Sequence, residues 1–423
     1  MKTLMIGHGC NPYTGSEPGL TFNWAAHMSD YCAVHLISQP QNRAETERFL
    51  AENPRPNLRM HWVDVDSPLD YWSPNRGDRG IRFHYLLWLR NVEKYARKLQ
   101  ESEQFDLVHH VGWGTVSVPS PFWKLGAPLI WGPLGGGQTT PRGLMGIYGR
   151  RRWEESLRTF RVRILRFTPS FRRSVARSSV AIAANRESAC LLSSAGVRTV
   201  TMLPDSALRN DSYPDEFEHS STPDRLNLLW AGKLLRWKGL DLALIAMKDL
   251  GVKARVHLTV AGDGPLTRDF ESTVKRLGLR DIVTFRGRVP WLEMSKEFLR
   301  ADAFLFTSLR DSFGSVALEA TSYGLPIVTL DIGGAGTFLP AGAAIKIKPS
   351  SVKGTASALA GAILRLRDDP SLRHGMGLAA RRFAESMSWE QHAAIMWQIY
   401  QGVSGVPDGL RISAQNESPH NSQ

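Results

Sequence analysis

The stretch RDSFGSVALEATSYGLPIVTLDIGG, residues 310–334, places two carboxylates eight residues apart around the start of a short apolar helix. AFLFT (303–307) and PIVTL (326–330) read as buried strands on either side. Asp311 therefore falls in the loop leaving the first strand, and Glu319 lies about one turn inside the helix. The amides of Phe313, Gly314 and Ser315 would point out of the helix N-terminus, a ready site for phosphate or sugar oxygens. Gly314 has no side chain and lets a ligand approach the backbone. An ionised carboxylate accepts two hydrogen bonds side by side, which suits the vicinal diol of a ribose. Each acid also has a plainer reading: Asp311 as an acid favoured by the helix dipole, Glu319 as a solvent-facing residue.

Two further loops favour the chemical reading. AGKLLRWKG follows a strand and sets Lys233, Arg236 and Lys238 around a turn at the head of a helix. AGDGP follows the next strand, and its Gly262 again permits close backbone approach. Lysines at strand ends facing a helix N-terminus make a diphosphate site. A charge run is commonly a solvated face, but three such loops at consecutive strand ends of one sheet point to a ligand. No aspartate cluster has metal-ligand spacing, so neither a metal nor a cofactor is predicted.

The elements that must position these residues are short apolar strands alternating with amphipathic helices. LNLLWAG, RVHLTVAG, IVTFRG, AFLFT, PIVTL and AIKI alternate with helical patterns such as LDLALIAMKDL and WLEMSKEFLRA. The first half opens with a strand (3–6), a glycine-rich turn, a helix near 20–28 and the strand AVHLIS, with FDLVHHV and APLIWGP as later strands. That pattern predicts an α/β chain of two doubly wound parallel sheets, with ligands at the carboxyl ends of the strands. The predicted divisions are residues 1–205, a linker over 206–225, a second domain over 226–388, a helix over 389–404 that crosses back to the first domain, and a disordered tail over 405–423.

Composition sets the outer bounds. The 423 residues exceed one ordinary core. Three cysteines without metal spacing suggest a reducing compartment. MKTLMIGHG turns at glycine too soon for a signal-peptide core, and no apolar run reaches the length of a membrane span, so a cytoplasmic location is expected. The net charge of +12 predicts an acidic partner.

In their order and spacing, AGKLLRWKG, AGDGP, TFRGRVP and RDSFGSVALEATSYGLPIV…DIGG resemble the C-terminal half of the family 4 glycosyltransferases, retaining enzymes of the GT-B fold. GSEPG, FDLVHH and IWGPLGGG resemble one branch of that family, associated with bacterial surface polysaccharides. The resemblance implies a nucleotide-sugar-binding C-terminal domain and an acceptor-binding N-terminal domain, both Rossmann-like. Lys233 and Lys238 would hold the donor diphosphate and Glu319 the ribose. Asp311 would hold the hydroxyls of the transferred sugar, and the amides from Phe313 to Val316 would meet sugar and phosphate. Two departures bear on donor identity: the family usually has glutamate at position 311 and arginine at position 233. The implied reaction is same-face transfer to a sugar or lipid-linked oligosaccharide without an enzymic nucleophile. Catalysis would rest on positioning and on charge stabilisation by Lys233, Lys238 and the helix terminus.

The N-terminal half offers weaker signals. Gly15 and Gly19 of GSEPG fall where the family brings backbone near the diphosphate, although a glycine-rich turn alone is mostly a turn. Gly135, Gly136 and Gly137 follow a strand directly and permit close backbone approach, with a flexible lid or a tight connection as the alternative. His109 and His110 end the strand FDLVHH; the family places a histidine just after this strand, nearer Val111. His110 is the residue taken as catalytic, with a structural role as the alternative.

Between Gly146 and Ser178 lie ten arginines against two glutamates. Trp153, Leu157, Phe160, Ile164 and Phe167 recur at spacings of four and three, on one narrow helical stripe. Arg151 and Arg152 precede it, and Arg161 is among the arginines beside it. Such a helix suits an anionic membrane surface bearing a lipid-linked acceptor; packing of the stripe on the core is equally open. Nucleic-acid binding is not expected, because no nucleic-acid motif accompanies the arginines. Two rival functions remain: another GT-B activity such as nucleotide-sugar epimerisation, and a nucleotide- or polyanion-binding protein without turnover.

Overall fold

The computed structural model describes residues 1–15, 17–73, 80–209, 225–290 and 293–404. The tail 405–423 and most of the 206–225 linker lie outside the described residues. The first sheet is built from β1 (Lys2–Ile6), β2 (Ala33–Ser38), β3 (Leu58–Trp62), β4 (Leu107–His110), β5 (Leu129–Leu134), β6 (Val180–Ala183) and β7 (Val200–Met202). Their order is β3-β2-β1-β4-β5-β6-β7. The second contains β8 (Leu226–Ala231), β9 (Val256–Ala261), β10 (Val283–Gly287), β11 (Ala303–Phe306), β12 (Ile327–Leu330) and β13 (Ala344–Ile347), in the order β10-β9-β8-β11-β12-β13. Every described pairing is parallel, with registers such as Leu4↔Val108 and Leu228↔Leu258. These are the two doubly wound sheets that the apolar runs predict.

Both faces of each sheet are buried. Leu4, Val108 and Trp131 enter one core while Met5, Leu107 and Ile130 enter the other. In the second sheet, Leu228 and Trp230 pack on one side and Leu229 and Ala231 on the other. Residues of both parities are thus inside, as parallel strands covered by helices require.

The chain does not divide cleanly between the two bodies. Leu144 and Ile147, in the turn-like helical segment Arg142–Arg151, are buried in the core of the second sheet. Conversely, the last described helix, Trp389–Ser404, packs on the first body: Trp389 meets Trp24 edge to face at 5.2 Å, and Tyr400 Oη lies 2.6 Å from His109 Nδ1. Where these passages meet, Leu208 and Ser388 form a parallel bridge. Leu208 N donates to Met387 O at 2.8 Å, and Trp389 N donates to Leu208 O at 3.1 Å.

Candidate active site

The carboxyl ends of β8, β9 and β10 meet the helix Ser315–Ser322 around an open cleft of about 650 Å³. Gly15, Lys233, Gly262, Ser315, Val316 and Glu319 line it, so six of the residues singled out in the sequence converge on one space. Its wall also holds Arg288 and Pro290 of TFRGRVP and Asp263 of AGDGP. A smaller recess of about 60 Å³ adjoins, sharing Gly15, Ser315 and Glu319. Glu319 faces these cavities rather than bulk solvent.

The cleft's floor depends on glycine. Gly262 has φ +141, and a Cβ there would collide with the carbonyl oxygen of Gly232. Leu234 N donates to Asp263 O at 2.8 Å, so the loops after β8 and β9 are laid backbone on backbone. Gly314 has φ +94, and a side chain would strike the Phe306 ring. The amides of Ser315 and Val316, in the first helical turn, have no acceptor within the helix. Phe313 is fully buried, with its ring 6.0 Å from that of Phe338, so only its backbone is available to a ligand.

Lys238 and Asp311 find each other. Lys238 Nζ lies 2.6 Å from Asp311 Oδ2 and 4.6 Å from the centre of the Trp237 ring, and both charged side chains are mostly buried. Neither residue is part of the wall of the larger cleft. Lys238 thus spans toward the acid loop, where one cation can serve a carboxylate and a neighbouring anion.

His110 stands apart from this assembly. It is 2% exposed, with Nε2 3.1 Å from Tyr85 Oη and its ring edge-on to Phe122. Burial lowers its pKa to about 3, with the neighbouring His109 adding to the effect. His109 is also fully buried, between Gly132 O (2.7 Å) and Tyr400 Oη (2.6 Å). The strand-end histidines are internal partners of the first sheet's core, and His110 is not brought to the cleft as a catalytic group.

Two acids not singled out in the sequence lie together in a separate small recess of the first body. Glu17 opens the helix Glu17–Met28, and Asp205 follows β7; both border a small recess with Thr21 and Gly114. Burial, with the Asp205 charge adding to it, raises Glu17 to about 8. Burial likewise raises Asp205 to about 6, with Asp311 contributing. Such acids hold protons near neutrality. Glu17 sits inside GSEPG and was open to notice as an acid within a glycine turn; Asp205 has no local signal.

Across the cleft the GGG segment touches the acid loop. A Cβ on Gly135 would strike Ser312 Oγ, and Gly135 N donates to Gly114 O, so the segment is packed against protein on both sides. On the same rim Arg186 Nη2 meets Asp331 Oδ1 at 2.6 Å, and Gly333 N donates to Glu187 Oε1 at 3.0 Å.

The arginine-rich segment forms the helix Arg152–Ile164 with its apolar stripe outward. Trp153, Phe160 and Phe167 are 63%, 59% and 66% exposed, and Leu157 and Ile164 are exposed too. The buried residues are Glu155 and Val162, on the opposite side at 100° per residue. Core packing of the stripe is therefore overturned. Arg151, Arg152 and Arg161 are exposed beside it. Among the described residues no helix is long and apolar enough to cross a membrane, and no group of three or more His, Cys, Asp or Glu could hold a metal ion.

Comparison with known proteins agrees with this fold. The fold is GT-B. Over 95% of the chain it is similar to Anabaena Alr3699/HepE in complex with UDP, at TM-score 0.62, 16% identity and full coverage of that chain. It is likewise similar to the sucrose-phosphate synthase of Thermosynechococcus elongatus, at TM-score 0.65 and 17% identity over 96% of this chain and all of that one. Residues 213–383, 171 of the 423, match the family model of the glycosyl transferases group 1. The D-inositol 3-phosphate glycosyltransferase of Paenarthrobacter aurescens is 32% identical over 194 residues, 44% of this chain and 46% of that protein. The phosphatidylinositol N-acetylglucosaminyltransferase GPI3 subunit of Saccharomyces cerevisiae (strain YJM789) is 28% identical over 216 residues, 49% of this chain and 46% of that protein. The chain matches a little under half the length of these curated relatives.

Proposed function

We propose that the protein is a retaining glycosyltransferase that moves a sugar from a nucleoside diphosphate to a sugar or lipid-linked acceptor in surface-polysaccharide synthesis. The observation that carries this reading is the convergence of Lys233, Gly262 and the helix start Ser315–Glu319 on one cleft. A diphosphate laid there meets the lysine ammonium, the amides of Ser315 and Val316 and the helix dipole without displacing any side chain. Glu319, one turn further in, takes the ribose diol. Lys238 then shares its charge between the diphosphate and Asp311, which faces the transferred sugar. Because protein cations and the helix terminus neutralise the donor, no metal is required. The exposed stripe beside Arg151, Arg152 and Arg161 lays the N-terminal domain on an anionic bilayer that presents the acceptor.

The test is a thermal-shift series with UDP, GDP, ADP and dTDP in the presence of EDTA, on the wild type and Glu319→Ala. A nucleotide at ~100 times its dissociation constant adds about 2.7 kcal/mol of stability. A shift with one nucleotide that is lost in Glu319→Ala supports the donor site and directs the search for the sugar. No shift with any of the four refutes it and favours a polyanion-binding protein. Conversion of a nucleotide sugar without an acceptor would point to an epimerase-type GT-B enzyme.

A further inference from the structure

The residues on both sides of Asp311 are gripped by the other domain. Gln138 Nε2 donates to Arg310 O at 2.8 Å, and Asn185 Nδ2 lies 3.3 Å from Ser312 O. Gln138 and Asn185 are themselves buried and joined at 3.3 Å. Beneath this pair of grips sits a carboxylate that no part of the donor site uses. Glu155, 4% exposed, belongs to the helix Arg152–Ile164. Its Oε1 accepts from Thr140 Oγ1 at 2.8 Å and from Arg158 Nε at 3.1 Å, while its Oε2 lies 3.4 Å from Arg310 Nη1. Arg158 in turn donates from Nη2 to Gln138 O at 2.8 Å. Arg310 stacks over Trp237 at 5.1 Å, the same ring that Lys238 overlies.

The charges alternate from one domain to the other: Arg158, Glu155, Arg310, Asp311, Lys238. Arg310 is mostly buried, and its Nε has no hydrogen-bond partner. Burial and the nearby Arg158 both disfavour its cation, which Glu155 and Asp311 support. Without the Glu155 charge, Arg158 and Arg310 would face each other unscreened in a poorly solvated seam. Asp311, the next residue in the chain, would then be the remaining acid able to hold Arg310. It would turn toward Arg310 and away from Lys238 and the cleft.

We infer that Glu155 is a positioning residue, which holds Asp311 toward the transferred sugar by occupying Arg310 from the opposite domain. The inference rests on the donor-site reading above, in which Asp311 touches the sugar and not the nucleotide. It therefore predicts a selective defect. Glu155→Gln is close to isosteric and removes only the charge.

The experiment measures calorimetric dissociation constants for a nucleoside diphosphate and its sugar conjugate, UDP with UDP-glucose or GDP with GDP-mannose, matched to the nucleotide that stabilises the wild type. Variants are Glu155→Gln, Arg310→Gln, the double variant and Arg310→Lys, each with its melting temperature. The expected result for Glu155→Gln is nucleotide affinity within about twofold of wild type and sugar-conjugate affinity at least fivefold weaker. Because Arg310 diverts Asp311 only when Glu155 is uncharged, the double variant should regain most of the conjugate affinity lost in Glu155→Gln. Arg310→Gln alone should bind the conjugate within about twofold of wild type, as should Arg310→Lys, whose charge Glu155 still holds. A parallel loss for nucleotide and conjugate, a double variant no better than Glu155→Gln, or unchanged conjugate binding in Glu155→Gln would each overturn the inference while leaving the donor site standing. A wild type that binds no nucleotide sinks both.

Discussion

Gly262→Ala tests whether the cleft floor depends on two loops crossing backbone on backbone. At φ +141 an alanine is held in a region that costs about 1–3 kcal/mol for a residue with a Cβ. The added methyl would also lie 3.0 Å from the carbonyl carbon of Gly232 and collide with its oxygen. A further 1–3 kcal/mol is the usual order for such overpacking. Relief would push the loop of Gly232 and Lys233 outward, since Gly262 N is held from behind by Gly287 O at 2.7 Å. At roughly 2–4 °C per kcal/mol for a domain of this size, melting should fall by on the order of 10 °C. The nucleotide-induced shift should shrink as well, because Lys233 moves with the loop. The assay is differential scanning calorimetry with and without the stabilising nucleotide, with far-UV circular dichroism to confirm the fold. Gly361→Ala is the control: that exposed glycine lies within the helix Val352–Asp368, has open space around its Cβ, and should gain about 0.5–1 kcal/mol. A Gly262→Ala protein that melts within about 1 °C of wild type and keeps its nucleotide shift would refute the reasoning.

Stability should fall in acid. Burial holds His109 and His392 to about 4 and His110 to about 3, so all three stay neutral in the fold while the unfolded chain protonates them near 6.5. The unfolded state then binds more protons below that pH. The contribution is complete above pH 6.5 and drains as pH falls toward the folded values, at about 1.4 kcal/mol per pH unit for each histidine. Melting temperatures that stay flat between pH 6.5 and 5 would contradict it. For the outward stripe, wild type should sediment with vesicles rich in anionic lipid at low salt and not with neutral ones. Trp153→Asp with Phe160→Asp should abolish that binding; equal binding by the double variant would remove the membrane role.

The strands and the donor loops were legible because both are local. An apolar run of four to six residues predicts a parallel strand, and the glycines and lysines at strand ends sit within a few residues of the strands that aim them. The failures have a common cause. His109 and His110 close a strand covered on both sides, so period-two alternation is absent and nothing in FDLVHH shows which ring faces a ligand. The arginine-rich helix displays its two faces plainly. The face that turns inward carries Glu155, and one of the partners that meets it there, Arg310, is far away in the sequence. Asp205 and the Lys238–Asp311 pair are likewise products of tertiary approach, and no spacing rule within one segment records them.

The bridge between Leu208 and Ser388 gives the molecule a built-in axle. Two passages of chain run side by side there and are tied by backbone hydrogen bonds, so neither can slide past the other. Leu208 and Trp389 also line the smaller recess, which places the axle at the inner corner of the cleft. A swing of the two bodies about this corner would give small travel there and larger travel at the rim. The rim carries the contacts Arg186 to Asp331 and Glu187 to Gly333, and the buried ones of Gln138, Asn185 and Glu155 to residues 310–312. A ligand bridging the corner would feel almost the same walls in every position of the swing, whereas one seated under Gly135 and Ser312 would be enclosed only at the end of it.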